Sequence, residues 1–137
     1  MKYFSIEELT FSSTALKYNI DNTPTPEIVE HLKELIDVLD ELREFYGHPI
    51  YISSGFRCEE LNKKVGGSKQ SAHMTGYAVD MQVKGDYDEF VRKVKEFFRN
   101  RPMDQLIEEK NKNTKWLHFG LRGPNNVQRH QIFNINL

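Results

Sequence analysis

Two histidines and an aspartate carry the most specific chemistry available to this chain. His73 and Asp80 stand in the run Ser71-Ala72-His73-Met74-Thr75-Gly76-Tyr77-Ala78-Val79-Asp80, with Gly76 between them. A second imidazole follows at His118, inside Trp116-Leu117-His118. Two imidazoles and one carboxylate are the donor set of a catalytic zinc site, in which three protein ligands leave the fourth position to water. Such a set implies metal-assisted hydrolysis. The spacing is not that of a helical His-x-x-x-His pair, so the fold has to bring the donors together. Taken singly, His73 reads as an exposed loop histidine and Asp80 as a strand-edge carboxylate. The third donor, on a separate element, shifts the reading toward a site.

The elements that must position these groups can be read from periodicity. Ala78 to Val83 alternates and forms a strand, with Ala78, Asp80 and Gln82 on one face and Val79, Met81 and Val83 on the other. Ser68 to Gly76, small and polar, is a loop. Asp104 to Glu109 and Trp116 to Leu121 form two strands joined by the polar stretch Lys110 to Lys115. Gln105, Ile107 and Glu109 share one face, and across the hairpin Trp116, His118 and Gly120 share it too, while Leu117, Phe119 and Leu121 fill the core side. Ile50 to Ser53 is a further strand and Gln131 to Ile135 a last edge strand.

Helices account for most of the remainder. Ser5-Ile6-Glu7-Glu8 fits a capping box opening a helix to about Leu9. One turn falls around Ser13 to Tyr18 in an otherwise loop-rich lead-in. Thr25-Pro26 starts the longest helix, where Ile28, Leu32, Leu35, Ile36, Leu39 and Leu42 recur at helical spacing until Gly47 and Pro49 end it. A brief helix spans Glu59 to Val65. Asp86 opens another, with Phe90, Val91, Val94, Phe97 and Phe98 on its buried side and a stop at Arg99 to Pro102. The fold class is α+β, with helices packed on a small, mostly antiparallel sheet.

Composition sets outer bounds. A length of 137 residues suggests one domain, 1–137. Net charge is -1, from 19 basic and 20 acidic residues, which argues against a phosphate-backbone partner such as nucleic acid. No run approaches transmembrane length, so no membrane role is expected. Cys58 is the single cysteine, too few for an internal disulfide, and reads as a small semi-buried side chain. The first eight residues lack the apolar core and cleavage site of a signal peptide. His31 reads as a packed or solvated helix residue, His48 as a helix-end residue and His130 as exposed.

The joint pattern Ser71-x-His73-x-x-Gly76-x-Ala78-x-Asp80 with Trp116-x-His118 resembles the peptidase M15 family. Members of that family are zinc D-alanyl-D-alanine carboxypeptidases and related peptidoglycan endopeptidases, phage endolysins among them. Upstream, Ser53-Ser54-Gly55-Phe56-Arg57, Leu61-Asn62 and Val65-Gly66-Gly67-Ser68 are similar to the stretch before the histidine motif. Phe4 to Glu8 and Asn22-x-Pro24 resemble the opening segment of the small single-domain branch. The likeness runs from about Phe4 to Arg122.

The resemblance implies a hedgehog-like zinc peptidase fold and a set of roles. His73, Asp80 and His118 would bind Zn2+. Arg57 would face the metal and hold a substrate carbonyl or carboxylate, as its planar fixed charge suits a developing oxyanion. Ser71 would orient the loop or contact the peptide, or merely cap a turn, and Gln105 would lie on the substrate side. Family members place an acid three positions before the second zinc histidine; this chain has Lys115 there. The general base then falls to the end of Gln105-Leu106-Ile107-Glu108-Glu109, with Glu109 preferred over Glu108 because of its face. The implied partner is a peptidoglycan stem peptide, handled by a monomer acting on the bacterial cell wall. A phage-borne enzyme released by other means and an envelope enzyme whose leader is missing are the two origins. Lys115 also motivates a rival reading, a non-catalytic wall-binding module that keeps the metal-site fold. A closed structural metal site is a third, for which no fourth ligand is apparent.

Overall fold

Apolar residues at helical spacing in one half of the chain and at alternating spacing in the other give two layers that bury each other. The computed structural model describes residues 1–137. Ser5 accepts a hydrogen bond from the Glu8 amide at the head of α1 (Ile6–Thr10), and Ser12 caps α2 (Ser13–Lys17) in the same way. Thr25 caps α3 (Pro26–Tyr46), with Pro26 in the first turn. Gly47 ends it at φ 84°, the left-handed conformation that glycine adopts without steric cost. Then come β1 (Tyr51–Ser54), α4 (Glu59–Lys64), a 3-10 turn (Ala72–Thr75), β2 (Ala78–Gln82), α5 (Tyr87–Phe98), β3 (Gln105–Lys110), β4 (Lys115–Gly120), a second 3-10 turn (Pro124–Asn126) and β5 (Gln131–Asn136).

The five strands form one sheet in the order β1-β2-β4-β3-β5. Neighbours are antiparallel except β3 and β5, which run parallel. One face is covered by α3 and α5. Leu32, Leu35, Ile36, Leu39 and Leu42 of α3 and Phe90, Val91, Val94 and Phe98 of α5 meet Val79, Met81, Leu106, Leu117 and Phe119 of the sheet, all buried in a single core. Phe98 stacks on Phe119 with ring centroids 4.6 Å apart. No helix is long and apolar enough to cross a membrane.

Element types follow the sequence reading, with small shifts. The first strand lies one residue later than Ile50 to Ser53, and the loop Ser68 to Gly76 contains the 3-10 turn that carries His73. The last strand is an edge strand, and its parallel pairing with β3 needs the excursion through the 3-10 turn Pro124–Asn126. Asp104 and Arg129 secure that return. The Arg129 backbone amide, Nε and Nη2 all donate to the Asp104 carboxylate at 2.8–3.1 Å, and the Gln131 amide donates to the Asp104 carbonyl. Cys58 caps α4, its Sγ accepting from the Leu61 amide at 3.4 Å.

Candidate metal centre

Sheet register brings two of the three donors side by side. Asp80 on β2 and His118 on β4 are directly paired, both on the face away from α3 and α5. Their neighbours Val79, Met81, Leu117 and Phe119 point into the core, so strand alternation alone aims the carboxylate and the imidazole outward. His73 arrives from the 3-10 turn before β2. Gly76 ends that turn at φ 83°, and a Cβ there would stand 2.9 Å from the Ile28 side chain. Any other residue would be strained by both backbone and neighbour.

The three side chains converge. His73 Nε2 lies 3.3 Å and His118 Nδ1 3.0 Å from Asp80 Oδ1. One donor atom from each of the three lies within 4.8 Å of the others. Two atoms each about 2.1 Å from one ion, at a tetrahedral angle, stand about 3.4 Å apart, so the spacing fits a shared zinc. The donor chemistry fits as well. His73 Nδ1 is 2.8 Å from the Gly55 carbonyl, which can only accept, so Nδ1 carries the proton and Nε2 turns its lone pair to the site. Burial keeps the His73 imidazole from charging and outweighs the pull of Asp80, and the neutral form is the one that binds metal. Burial alone would raise the Asp80 carboxyl. The facing His118 Nδ1 works against that, and the carboxyl lies well below the usual carboxylate range. A lone pair and a carboxylate at 3.3 Å repel unless a cation lies between them, which makes this arrangement suited to an ion.

Arg57 and Glu109 flank the cluster. Arg57 follows β1, and its backbone amide donates to the His73 carbonyl at 3.1 Å. Burial lowers the guanidinium from its ordinary value while Asp80 and Glu109 oppose that, and its Nε is buried with no hydrogen-bond partner. Glu109 Oε1 is 3.9 Å from His118 Nδ1. Burial raises the Glu109 carboxyl and Asp80 adds to that, against His118, the Trp116 indole and Arg57. Glu108 points the other way and pairs with Lys95 of α5 at 3.2 Å. Ser71 caps the turn, its Oγ accepting from the His73 amide at 3.1 Å, and lies 3.5 Å from Arg57 Nη2. Gln105 is on the metal face but donates its amide to Gln131 of β5 at 2.9 Å. Lys115 is exposed, its ammonium over the Tyr87 ring at 5.6 Å. His31 stacks on Tyr77, His48 meets the Tyr46 ring edge-on and His130 reaches the Phe98 carbonyl, all outside the cluster.

Two supporting residues escaped the sequence reading. Gly55 anchors His73, and a Cβ at Gly55 would stand 2.2 Å from the Leu9 carbonyl oxygen, so α1 packs against the backbone that carries the histidine's acceptor. Asn22 clamps the Arg57 loop: its amide donates to the Thr10 and Phe56 carbonyls, and its oxygen accepts from the Cys58 amide at 2.7 Å. The sequence signal was present in Asn22-x-Pro24, but the partners of a side-chain-to-backbone clamp are not visible in a linear pattern. Beside Arg57 and Asp80 opens a cleft of about 320 Å³, lined also by Phe11, Ser12, Ser53 and Ser54. A roomier hollow at Tyr46, His48, Tyr51 and Lys84 lies apart from the cluster and gathers no comparable donors.

No curated protein matches the chain. A family model described as Peptidase M15 matches residues 2–119, a span that contains His73, Asp80, His118, Arg57 and Glu109. The sheet that pairs Asp80 with His118, the turn that adds His73 and this match over most of the length agree: the chain belongs to the peptidase M15 family.

Proposed function

We propose that the protein is a zinc-dependent peptidase that hydrolyses amide bonds in peptidoglycan stem peptides, as a carboxypeptidase or an endopeptidase of the bacterial cell wall. The observation that carries this reading is the convergence of His73, Asp80 and His118 from three separate elements, with an arginine and a half-buried glutamate beside them. His73 Nε2, Asp80 and His118 Nδ1 would hold the ion. Zinc, when bound, polarises a carbonyl and makes water acidic enough to attack near neutral pH.

The chain's own groups supply the rest. Gly55 fixes the His73 tautomer, and Asn22 and Ser71 fix the loop and turn that carry Arg57 and His73. Arg57 offers a delocalised, fixed charge to the oxygen on which negative charge develops, or to a terminal carboxylate. Glu109 takes the proton from the attacking water and returns it to the leaving amine, and its raised carboxyl suits both halves of that transfer. It stands in for the acid that Lys115 displaces.

Incubating the protein with purified peptidoglycan, with zinc and with chelator, and weighing the released muropeptides by mass spectrometry tests this. Zinc-dependent loss of a terminal alanine or scission within the stem supports the proposal and tells the two activities apart. Wall binding without any released product would favour the non-catalytic module.

A further inference from the structure

The register of the sheet extends the metal face past the residues used so far. Ser54, Asp80, His118, Ile107 and Phe133 form one cross-strand row through all five strands. Paired residues share a face, so Phe133 lies on the metal side, two strands beyond His118. At about 4.8 Å between strands, that is roughly 10 Å along the sheet. The adjacent row places Ile135 next to Glu109 and Trp116. The Gln105–Gln131 amide pair confirms the facing and bounds the patch at one end. Ile107 is 7% exposed, whereas Phe133 at 39% and Ile135 at 36% stay open to solvent. None of the three carries charge. β5 lies wholly beyond residues 2–119, the span shared with the family.

We propose that Phe133 and Ile135 form an apolar substrate platform beside the metal centre, which receives an aliphatic side chain of the bound peptide next to the scissile bond. The proposal rests on the peptidase reading and deepens it. A peptide crossing the strands over His118 meets two unlike walls. On the β1 side is a mixed wall, Arg57 and the hydroxyls of Ser12, Ser53 and Ser54 beside the exposed Phe11 and Val65. On the β5 side is an apolar surface continuous with Ile107. An aliphatic side chain gains free energy on the second, where β5 itself carries no charged residue. Specificity for the peptide's apolar position is thereby assigned to a strand that lies outside the family span.

The sole tryptophan, Trp116, sits beside Glu109 in this face and reports binding by its emission without requiring turnover. The experiment titrates zinc-loaded protein with stem peptides in which one residue at a time is alanine, leucine or serine, and follows hydrolysis in parallel. At one position, wild type should bind leucine roughly tenfold more tightly than serine. Phe133→Ser and Ile135→Ser should each reduce that preference severalfold with zinc stoichiometry and melting temperature unchanged, and Phe133→Leu should restore it. Binding preference without hydrolysis would keep the platform and refute the peptidase reading. Hydrolysis with no leucine preference at any position, or a preference that Phe133→Ser and Ile135→Ser leave intact, would overturn the platform. A dimer in sedimentation that Phe133→Ser dissolves, with peptide preference unmoved, would assign the surface to a second copy and likewise overturn it. Absence of both binding and hydrolysis would refute both.

Discussion

The two faces of the central strands are built from alternating residues of the same strands and do opposite work. On β2 and β4, Val79, Met81, Leu117 and Phe119 are fully buried against α3 and α5. The residues between them, Asp80 and His118, turn to the other side and meet His73. Shifting β2 by one residue would put Asp80 in the core, and shifting β4 would put His118 there and Phe119 on the donor face. The register that buries the core is therefore the register that assembles the candidate metal centre. Substitutions on the two faces should accordingly fail differently, one through stability and the other through chemistry.

The largest effect is expected from the donors themselves. Asp80→Ala or His73→Ala should remove tightly held zinc and reduce turnover to background while the fold survives; elemental analysis beside circular dichroism checks both. Next comes the proposed base. Glu109→Gln should retain zinc and lose about 10²–10⁴ in kcat. Glu108→Gln, which disturbs only a partly exposed pair with Lys95, should change kcat by less than about twofold. The reverse ranking in steady-state kinetics would place the base on the wrong face of β3.

On the core side, Phe119→Ala should cost about 3–5 kcal/mol in denaturant unfolding, through the lost stacking on Phe98 and the cavity left behind. At temperatures where the variant stays folded, its zinc affinity should remain close to wild type. The smallest effect falls at the edge. Asp104→Asn should cost about 1–2 kcal/mol, since Arg129 is partly exposed, and should speed amide exchange in β5 before β2 and β4. Burial opposes a charged Asp104, but the Arg129 bonds win and hold its carboxyl below the usual value. The stability this pair supplies is thus present above about pH 3.9, the unfolded carboxylate value, and is lost as pH falls through the lower folded value. In Asp104→Asn the acid sensitivity of β5 should diminish.

Local signals made much of this legible in the sequence. Thr25-Pro26 and Gly47 bracket α3 where the chain itself sets the ends, and the parity of Val79-Asp80-Met81 and Leu117-His118-Phe119 places donors and core on opposite faces. The opposite facing of Glu109 and Glu108 also follows from parity: Glu109 lies by His118, Glu108 by Lys95. The contacts that escaped are non-local ones between side chain and backbone. Nothing in the sequence around His73 names the Gly55 carbonyl as its acceptor, and nothing around Arg57 names Asn22 as its clamp. The parallel pairing of β5 escaped for the same reason, as it depends on the long-range Asp104–Arg129 pair and on the turn at Pro124–Asn126 rather than on a hairpin signal.

Anomalous diffraction at the zinc edge, on crystals grown with zinc, tests the central claim most directly. One peak about 2.0–2.2 Å from His73 Nε2, His118 Nδ1 and an Asp80 oxygen, with a coordination position open toward Glu109 and Arg57, is the predicted result. A peak elsewhere, or the three donors apart with no ion between them at saturating zinc, would contradict it.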